Sequence, residues 1–374
     1  MALMKVIIAA AGTGGHVNPA IAIANKIKEE LPHSRIVFFG TERGIENDLV
    51  SKAGYEIKHI EAYGLKKEIS ISNIKNIIKT INSTKIVKKF IDKFKPDLVI
   101  GTGGYICGPV FAAANSKNIP TILHESNAFP GKAVKMFAKK ADKVLVGFEE
   151  AKNMLPKGSN VVLTGNPTNV KKIEISEQRK NEIFKELGFS KDLPIVLITG
   201  GSQGAQKINE AVSDIVINKL NKDYQILWST GIKQYDIIKN NLEQYKLNIN
   251  NLTNAKAVPY IYNMEEILNI MDLEVCRSGA MTITELSNVG KPAIFVPLPS
   301  TGANKQEDNA RVLEKLGAAK VILNSDLNSN ILNISIYELI SKPYKLAEMA
   351  HKSTKIQVKN AEEKIFKEIK KLFE

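Results

Sequence analysis

Short, continuous apolar runs alternate along this chain with longer stretches in which apolar residues return every three or four positions. In the first half the runs are Lys5 to Ala9, Arg35 to Gly40, Tyr55 to Ile60, Leu98 to Gly101, Thr121 to His124, Lys143 to Val146 and Val161 to Leu163. Such runs fit strands buried on both faces, and the helical period between them fits packed helices. Strict alternation of the two predicts parallel strands joined by right-handed crossovers, an α/β doubly wound sheet. The second half repeats the scheme with Ile195 to Thr199, Gln225 to Ser229, Ala255 to Pro259, Leu273 to Cys276, Ala293 to Val296 and Lys320 to Ile322. Two Rossmann-like parallel-sheet domains facing a cleft are expected, 1–165 and 166–343, joined at the turn-forming Thr164-Gly165-Asn166-Pro167-Thr168-Asn169. The charged helical pattern over 344–374 reads as a plain terminal helix or as one that packs back on the first domain.

Glycine-rich turns follow three of the predicted strands: Gly12-Thr13-Gly14-Gly15-His16, Gly101-Thr102-Gly103-Gly104-Tyr105 and Gly200-Gly201-Ser202-Gln203-Gly204-Ala205. Missing side chains let backbone approach a phosphate, and the unpaired N–H groups of a helix start supply positive partial charge. His16 falls in the first turn of a helix, where the neutral ring that can accept a proton is favoured, and is the candidate general base. The stretch from Val275 to Pro292 reads as strand, tight turn, short helix and glycine C-cap. Glu285 lies about one and a half turns into that helix. There it either accepts hydrogen bonds from vicinal hydroxyls such as those of a ribose or is a favourable acid near a helix N-terminus. Gln306 and Asn309 open a later helix, as ligands for sugar hydroxyls or as caps.

Length and charge narrow this picture. At 374 residues the chain exceeds the size at which one core keeps growing. With 44% hydrophobic and 24% charged residues it has the composition of an ordinary globular protein, and no apolar stretch approaches the ~20 residues a spanning helix needs. The apolar start, Leu3 to Ala11, runs straight into a glycine turn and reads as a buried strand rather than a secretion signal, so a cytoplasmic protein is expected. Cys107 and Cys276 show no metal spacing and read as small buried hydrophobes. No Asp-x-Asp triplet and no metal-spaced cluster of His, Cys and carboxylates occurs, so no metal or other cofactor is expected, and a leaving diphosphate would be stabilised by helix N-termini and side-chain donors. The net charge of +13 fits nucleic acid, an anionic membrane surface or phosphorylated substrates. With 6% aromatic residues and no recognisable binding module, nucleic acid is not expected as a partner.

Taken in order, the three glycine turns, His124-Glu125-Ser126-Asn127, Gly165-Asn166-Pro167, Cys276-Arg277-Ser278-Gly279-Ala280 and Gln306 with Asn309-Ala310 resemble the MurG family over nearly the whole chain. Members of that family transfer N-acetylglucosamine from UDP-N-acetylglucosamine to undecaprenyl-diphospho-muramoyl-pentapeptide, at the cytoplasmic face of the bacterial membrane. The resemblance implies the two-domain GT-B glycosyltransferase architecture and an inverting transfer. It implies that Thr13, Gly14 and Gly15 contact the donor and that Asn127 holds its sugar. By the same resemblance Ser202 meets the diphosphate and Ile261 the uracil through its backbone, while Ala280, Met281, Thr282, Ile283, Thr284 and Glu285 line diphosphate and ribose. Gln306 and Asn309 would bind the N-acetylglucosamine hydroxyls, and Gly103, Gly104 and Tyr105 the acceptor's lipid diphosphate. The chain departs from the family pattern in carrying Asn169 where many members have a donor-binding arginine, Ser126 for a common glutamine and Ala11 for a common glycine. Other GT-B enzymes (a glycolipid glycosyltransferase, a UDP-sugar epimerase) are the nearest alternatives. A nicotinamide oxidoreductase is disfavoured, because the first turn lacks Gly-x-Gly-x-x-Gly spacing.

The resemblance also gives the basic charge a partner. Between Leu65 and Lys95 there are nine lysines, and Ile74, Ile77, Ile78 and Ile81 share one helix face. A basic helix with an apolar face suits an anionic inner leaflet. The continuation from Ile86 to Phe94 is expected to face its own sheet.

Overall fold

In the computed structural model, described for residues 3–63, 71–168, 170–201, 203–299 and 305–374 (71–74 for backbone only), the chain forms two compact units. They are Met1–Asn169 with Val358–Glu374, and Val170–Gln357. Ser202, Asn169 and the side chain of Ile74 lie outside the described residues.

The first unit runs β1 (Lys5–Ala10), α1 (Gly14–Glu30), β2 (Arg35–Gly40), α2 (Glu46–Lys52), β3 (Glu56–His59), α3 (Ile71–Phe94), β4 (Leu98–Gly103), α4 (Cys107–Asn115), β5 (Thr121–Glu125), α5 (Lys132–Phe137), β6 (Lys143–Val146), α6 (Glu149–Lys152) and β7 (Val161–Leu163). All pairings are parallel, in the order β3-β2-β1-β4-β5-β6-β7. Alternate residues of β1 serve two cores: Val6 and Ile8 join Ile23 and Ile27 of α1, and Ile7 and Ala9 join Val110 and Phe111 of α4. Each fully buried isoleucine contributes roughly 1.5–3 kcal/mol, which is why the continuous apolar runs become central strands.

The second unit runs α7 (Glu177–Leu187), β8 (Ile195–Thr199), α8 (Gln206–Ile217), β9 (Gln225–Ser229), α9 (Tyr235–Gln244), β10 (Ala255–Val258), α10 (Met264–Ile270), β11 (Leu273–Cys276), α11 (Ala280–Val289), β12 (Ala293–Phe295), α12 (Gln306–Lys315), β13 (Ala319–Val321), α13 (Ser329–Ile340) and α14 (Pro343–Ser353). Its parallel sheet has the order β10-β9-β8-β11-β12-β13. The local signals are orthodox. Ser176 caps α7 by accepting the Arg179 N–H, and α11 ends at Gly290 with φ 69°.

The terminal segment departs from the single helical pattern over 344–374. α14 belongs to the second unit, a turn of 3₁₀ helix follows, and Asn360 at φ 56° leads into α15 (Ala361–Lys370) in the first unit. α15 buries Ile365, Phe366 and Ile369 in the core it shares with α1. Its Glu368 Oε2 lies 2.5 Å from Lys143 Nζ, and both side chains are about 10% exposed. Burial raises the Glu368 pKa, but hydrogen bonds from Lys143 and Lys371 outweigh this and hold it below the ordinary carboxylate value.

α3 divides as its periodicity suggests, with one exception. Val87, Ile91 and Phe94 are buried against the sheet, while Ile77, Ile78 and Ile81 face outward, 37%, 52% and 53% exposed. Ile86, expected to pack on the sheet, also faces outward, because at ~100° per residue it cannot share the face of Val87.

Candidate functional site

In both units the glycine turns sit where the strand order reverses. β1 has β2 on one side and β4 on the other, so crossovers leave in opposite directions and the loops after β1 and β4 stand open side by side. They interlock. Thr102 Oγ1 donates to the His16 carbonyl at 2.7 Å, and the His16 ring lies on Gly103, where a Cβ would sit 2.4 Å from Cδ2. Gly103 also has φ +122°, a region other residues rarely adopt. His16 Nδ1 is 3.0 Å from the Ala11 carbonyl, which can only accept, so Nδ1 is the donor and the neutral ring presents its lone pair at Nε2.

Glu46 fixes the first turn from beneath. Its carboxylate accepts the Gly12 N–H at 3.1 Å, and the Thr41 N–H and hydroxyl at 2.9 and 2.7 Å. Burial pushes the Glu46 pKa up, and these donors bring it below the ordinary value. α1 starts at Gly14, and its N-cap residue Thr13 makes no side-chain capping hydrogen bond. Tyr105 projects outward beside the second turn, 58% exposed. After β5, Glu125 accepts the Asn127 N–H and side-chain amide, both at 2.9 Å, and the Gly131 N–H at 2.7 Å, holding Asn127 at the strand's end. His124 is buried behind it, 3.3 Å from the Gly165 carbonyl, and burial drives its pKa down to about 4.

The second unit holds a cavity of about 710 Å³ at its own reversal point, between the turns after β8 and β11. Gly200, Gly201 and Gly204 line it at the start of α8, and Gly279 and Thr282 at the start of α11. Neither helix has a side-chain cap, so two helix N-termini present N–H groups where an anion would sit. Gly204 permits close backbone packing: a Cβ there would be 2.3 Å from the Thr230 carbonyl. Arg277 adds a cation. Its Nη1 donates to the Val296 and Pro297 carbonyls at 2.9 and 3.1 Å and to Asn324 Oδ1 at 2.8 Å, fixing the guanidinium on the cavity wall. Among the described residues no group of three or more His, Cys, Asp or Glu is placed to hold a metal ion.

The expected donor residues divide. Thr282 and Gln306 line the cavity, and Gln306 Oε1 is held by the Leu298 N–H at 2.9 Å. Ala280, Met281, Ile283 and Ile261 are buried, so these positions can offer backbone rather than side chain. Thr284 donates to the Ala280 carbonyl at 2.9 Å, and Glu285 is half-buried on α11 outside the cavity wall. Asn309 is fully buried and donates to the Ser278 carbonyl at 3.4 Å, so its amide braces the turn after β11. Sequence reasoning passed over Arg277, although it stands inside a quoted motif. It also passed over Asn324, which is 47 residues away and reaches Arg277 only through strand order.

The N-terminal domain of glycosyltransferase family 28 matches residues 6–146, and the family's C-terminal domain matches residues 195–368. The chain is 42% identical to the UDP-N-acetylglucosamine–N-acetylmuramyl-(pentapeptide) pyrophosphoryl-undecaprenol N-acetylglucosamine transferase of Acetivibrio thermocellus, over 98% of both chains. It is 40% identical to the protein of the same name from Thermoanaerobacter sp. strain X514, over 99% of this chain and 100% of that one. The crystal structure of Acinetobacter baumannii MurG superposes with a TM-score of 0.76 at 29% identity, covering 98% of this chain and 99% of the other. With two doubly wound units of the GT-B kind and full-length similarity of this order, the chain belongs to the MurG family of glycosyltransferases.

Proposed function

We propose that this chain transfers N-acetylglucosamine from UDP-N-acetylglucosamine to the muramoyl C4 hydroxyl of pyrophosphoryl-undecaprenol-linked N-acetylmuramyl-pentapeptide, with inversion and without a metal ion. The hydroxyl oxygen bonds to the anomeric carbon as the bond to UDP breaks; the hydroxyl proton passes to Nε2 of His16, and UDP leaves with the bonding electron pair. The leaving charge falls on the N-termini of α8 and α11, with Arg277 beside them, donors fixed before reaction. The observation that carries this reading is the cavity of the second unit, with its two uncapped helix starts and pinned guanidinium. Incubating the purified chain with UDP-N-acetylglucosamine and the lipid-linked muramyl pentapeptide tests it. Equimolar UDP and disaccharide lipid, unchanged by a chelator, is the expected result. UDP release without acceptor would point to an epimerase-type reaction, and chelator sensitivity would defeat the metal-free part.

Peripheral binding to the anionic inner leaflet belongs to the same reading. No described helix is long and apolar enough to cross a membrane. Support comes from α3, whose outward Ile77, Ile78 and Ile81 stand among Lys75, Lys79, Lys85 and Lys89. Each such cation contributes about 1 kcal/mol beside anionic lipid.

A further inference from the structure

Glu274 is a carboxylate in the middle of a parallel sheet. β11 lies between β8 and β12, and its residues alternate: Leu273 and Val275 join the core on one face, and Glu274 and Cys276 point to the other. Its in-register neighbours, Leu197 on β8 and Ala293 on β12, are apolar. Glu274 is 2% exposed; Oε1 accepts the Thr199 hydroxyl at 2.8 Å, and Oε2 has no hydrogen-bond partner among the described residues. A buried carboxylate so poorly satisfied resists ionisation. Burial drives its pKa up to about 7, with the Thr199 hydroxyl and the Cys276 thiol opposing and the charge of Glu285 adding to the rise. Thr199 ends β8 and lines the cavity, so the carboxyl stands one side chain behind the proposed diphosphate subsite.

We propose that Glu274 is a positioning residue for the nucleotide sugar: neutral, it holds Thr199 at the start of the glycine turn, and ionised, it places a negative charge behind the diphosphate and weakens donor binding. This rests on the reading of the second unit as the UDP-sugar site. The direction follows from linkage. A bound anion disfavours the ionised carboxyl, so the donor binds best to the neutral form, and affinity falls as pH rises through neutrality. A charge ~10 Å from the ligand at an effective dielectric of ~20 changes affinity roughly three- to tenfold after partial screening. The titratable and charged groups around Glu274 are few. Cys276, two residues along β11, has its thiol pKa raised far above the usual value by burial and by Glu274 itself. Arg277 follows the strand, the charge of Glu285 acts on it from α11, and Asp272 and Lys291 stand at the far end, where they bond the Ile195 N–H and the Met271 carbonyl. β12 presents Ala293 and Phe295, and β8 Leu197 and Thr199.

Isothermal titration of the full chain with UDP-N-acetylglucosamine at about pH 6 and pH 8, for the wild type and Glu274→Gln, tests the proposal, because the sugar diphosphate itself does not titrate there. Wild-type affinity should weaken roughly three- to tenfold at the higher pH, with the Gln variant flat and close to the low-pH wild type. An equal pH slope in both proteins overturns the proposal, whatever the change in absolute affinity; a wild type that binds no UDP-sugar at either pH overturns the functional reading itself. Proton uptake on binding, measured with the wild type in buffers of different ionisation enthalpy near pH 7, needs no variant: uptake is expected, and its absence overturns the proposal. Without ligand, Glu274→Gln should gain more urea resistance over the wild type at pH 8 than at pH 5, and equal gains would show that Glu274 does not titrate between them.

Discussion

The ring of His16 rests on the bare α-carbon of Gly103, so the first glycine turn and the second are two halves of one surface. A side chain at 103 would displace the ring while leaving Nδ1 its bond to the Ala11 carbonyl only at the cost of strain. Gly103→Ala should therefore lower kcat by about 10²-fold, with donor affinity within a few fold, since misplacement of a catalytic group costs rate before binding. Steady-state kinetics beside donor titration checks this, and an unchanged kcat would show that the ring is not held by this contact.

His16→Ala removes the base itself. Turnover should fall about 10²- to 10⁴-fold, the range of general base catalysis, with much less effect on UDP-N-acetylglucosamine affinity. Unchanged turnover would take His16 out of that role.

His124 gives a pH dependence of stability. Its pKa falls from an ordinary 6.5 to about 4 in the folded chain, so its contribution is complete above the unfolded value and is lost as pH falls toward the folded one. Folding of the first unit should weaken by up to about 3 kcal/mol between those limits. His124→Gln should flatten urea-denaturation midpoints across that window while leaving the carboxylate-driven loss at lower pH in place. An identical slope in the variant would assign the loss to other groups.

The Lys143–Glu368 pair fastens α15 to the sheet, and α15 in turn packs on α1, whose first turn carries His16. Lys143→Ala leaves a buried carboxylate with the more exposed Lys371 as its remaining partner, and should cost about 3 kcal/mol in urea denaturation. Lys143→Met combined with Glu368→Leu should restore most of that loss. No recovery in the double variant would mean that the ion pair itself, rather than the packing, holds the helix.

Vesicle binding separates the two faces of α3. Ile78→Lys with Ile81→Lys should lower co-sedimentation with anionic vesicles roughly tenfold or more, because apolar insertion is lost even as charge is added. Equal wild-type binding to neutral and anionic vesicles would remove the electrostatic part.

Strands such as β2, β6 and β8 could be read from the chain to the residue, since a parallel strand covered on both faces has no polar alternation to blur its ends. The break between α14 and α15 could not. Lysines and glutamates continue through it, and without glycine or proline only Asn360, in a left-handed conformation, marks the point where the chain returns to the first unit. The same limit applies at Asn309 and Ile283. Which face of α11 or α12 meets the sheet is not a local property of the chain, and both side chains are buried.

By itself the sequence determined the two doubly wound units, the glycine turns at strand ends and the family to which they belong, because periodicity and missing side chains are local properties. Only the tertiary structure decided which turns meet. Strand order sets β1 beside β4 and β8 beside β11, and so brings Gly103 under His16 and Thr199 onto Glu274. Those contacts join residues far apart in the chain, and it is the reversal of crossover direction at the centre of each sheet that makes them neighbours.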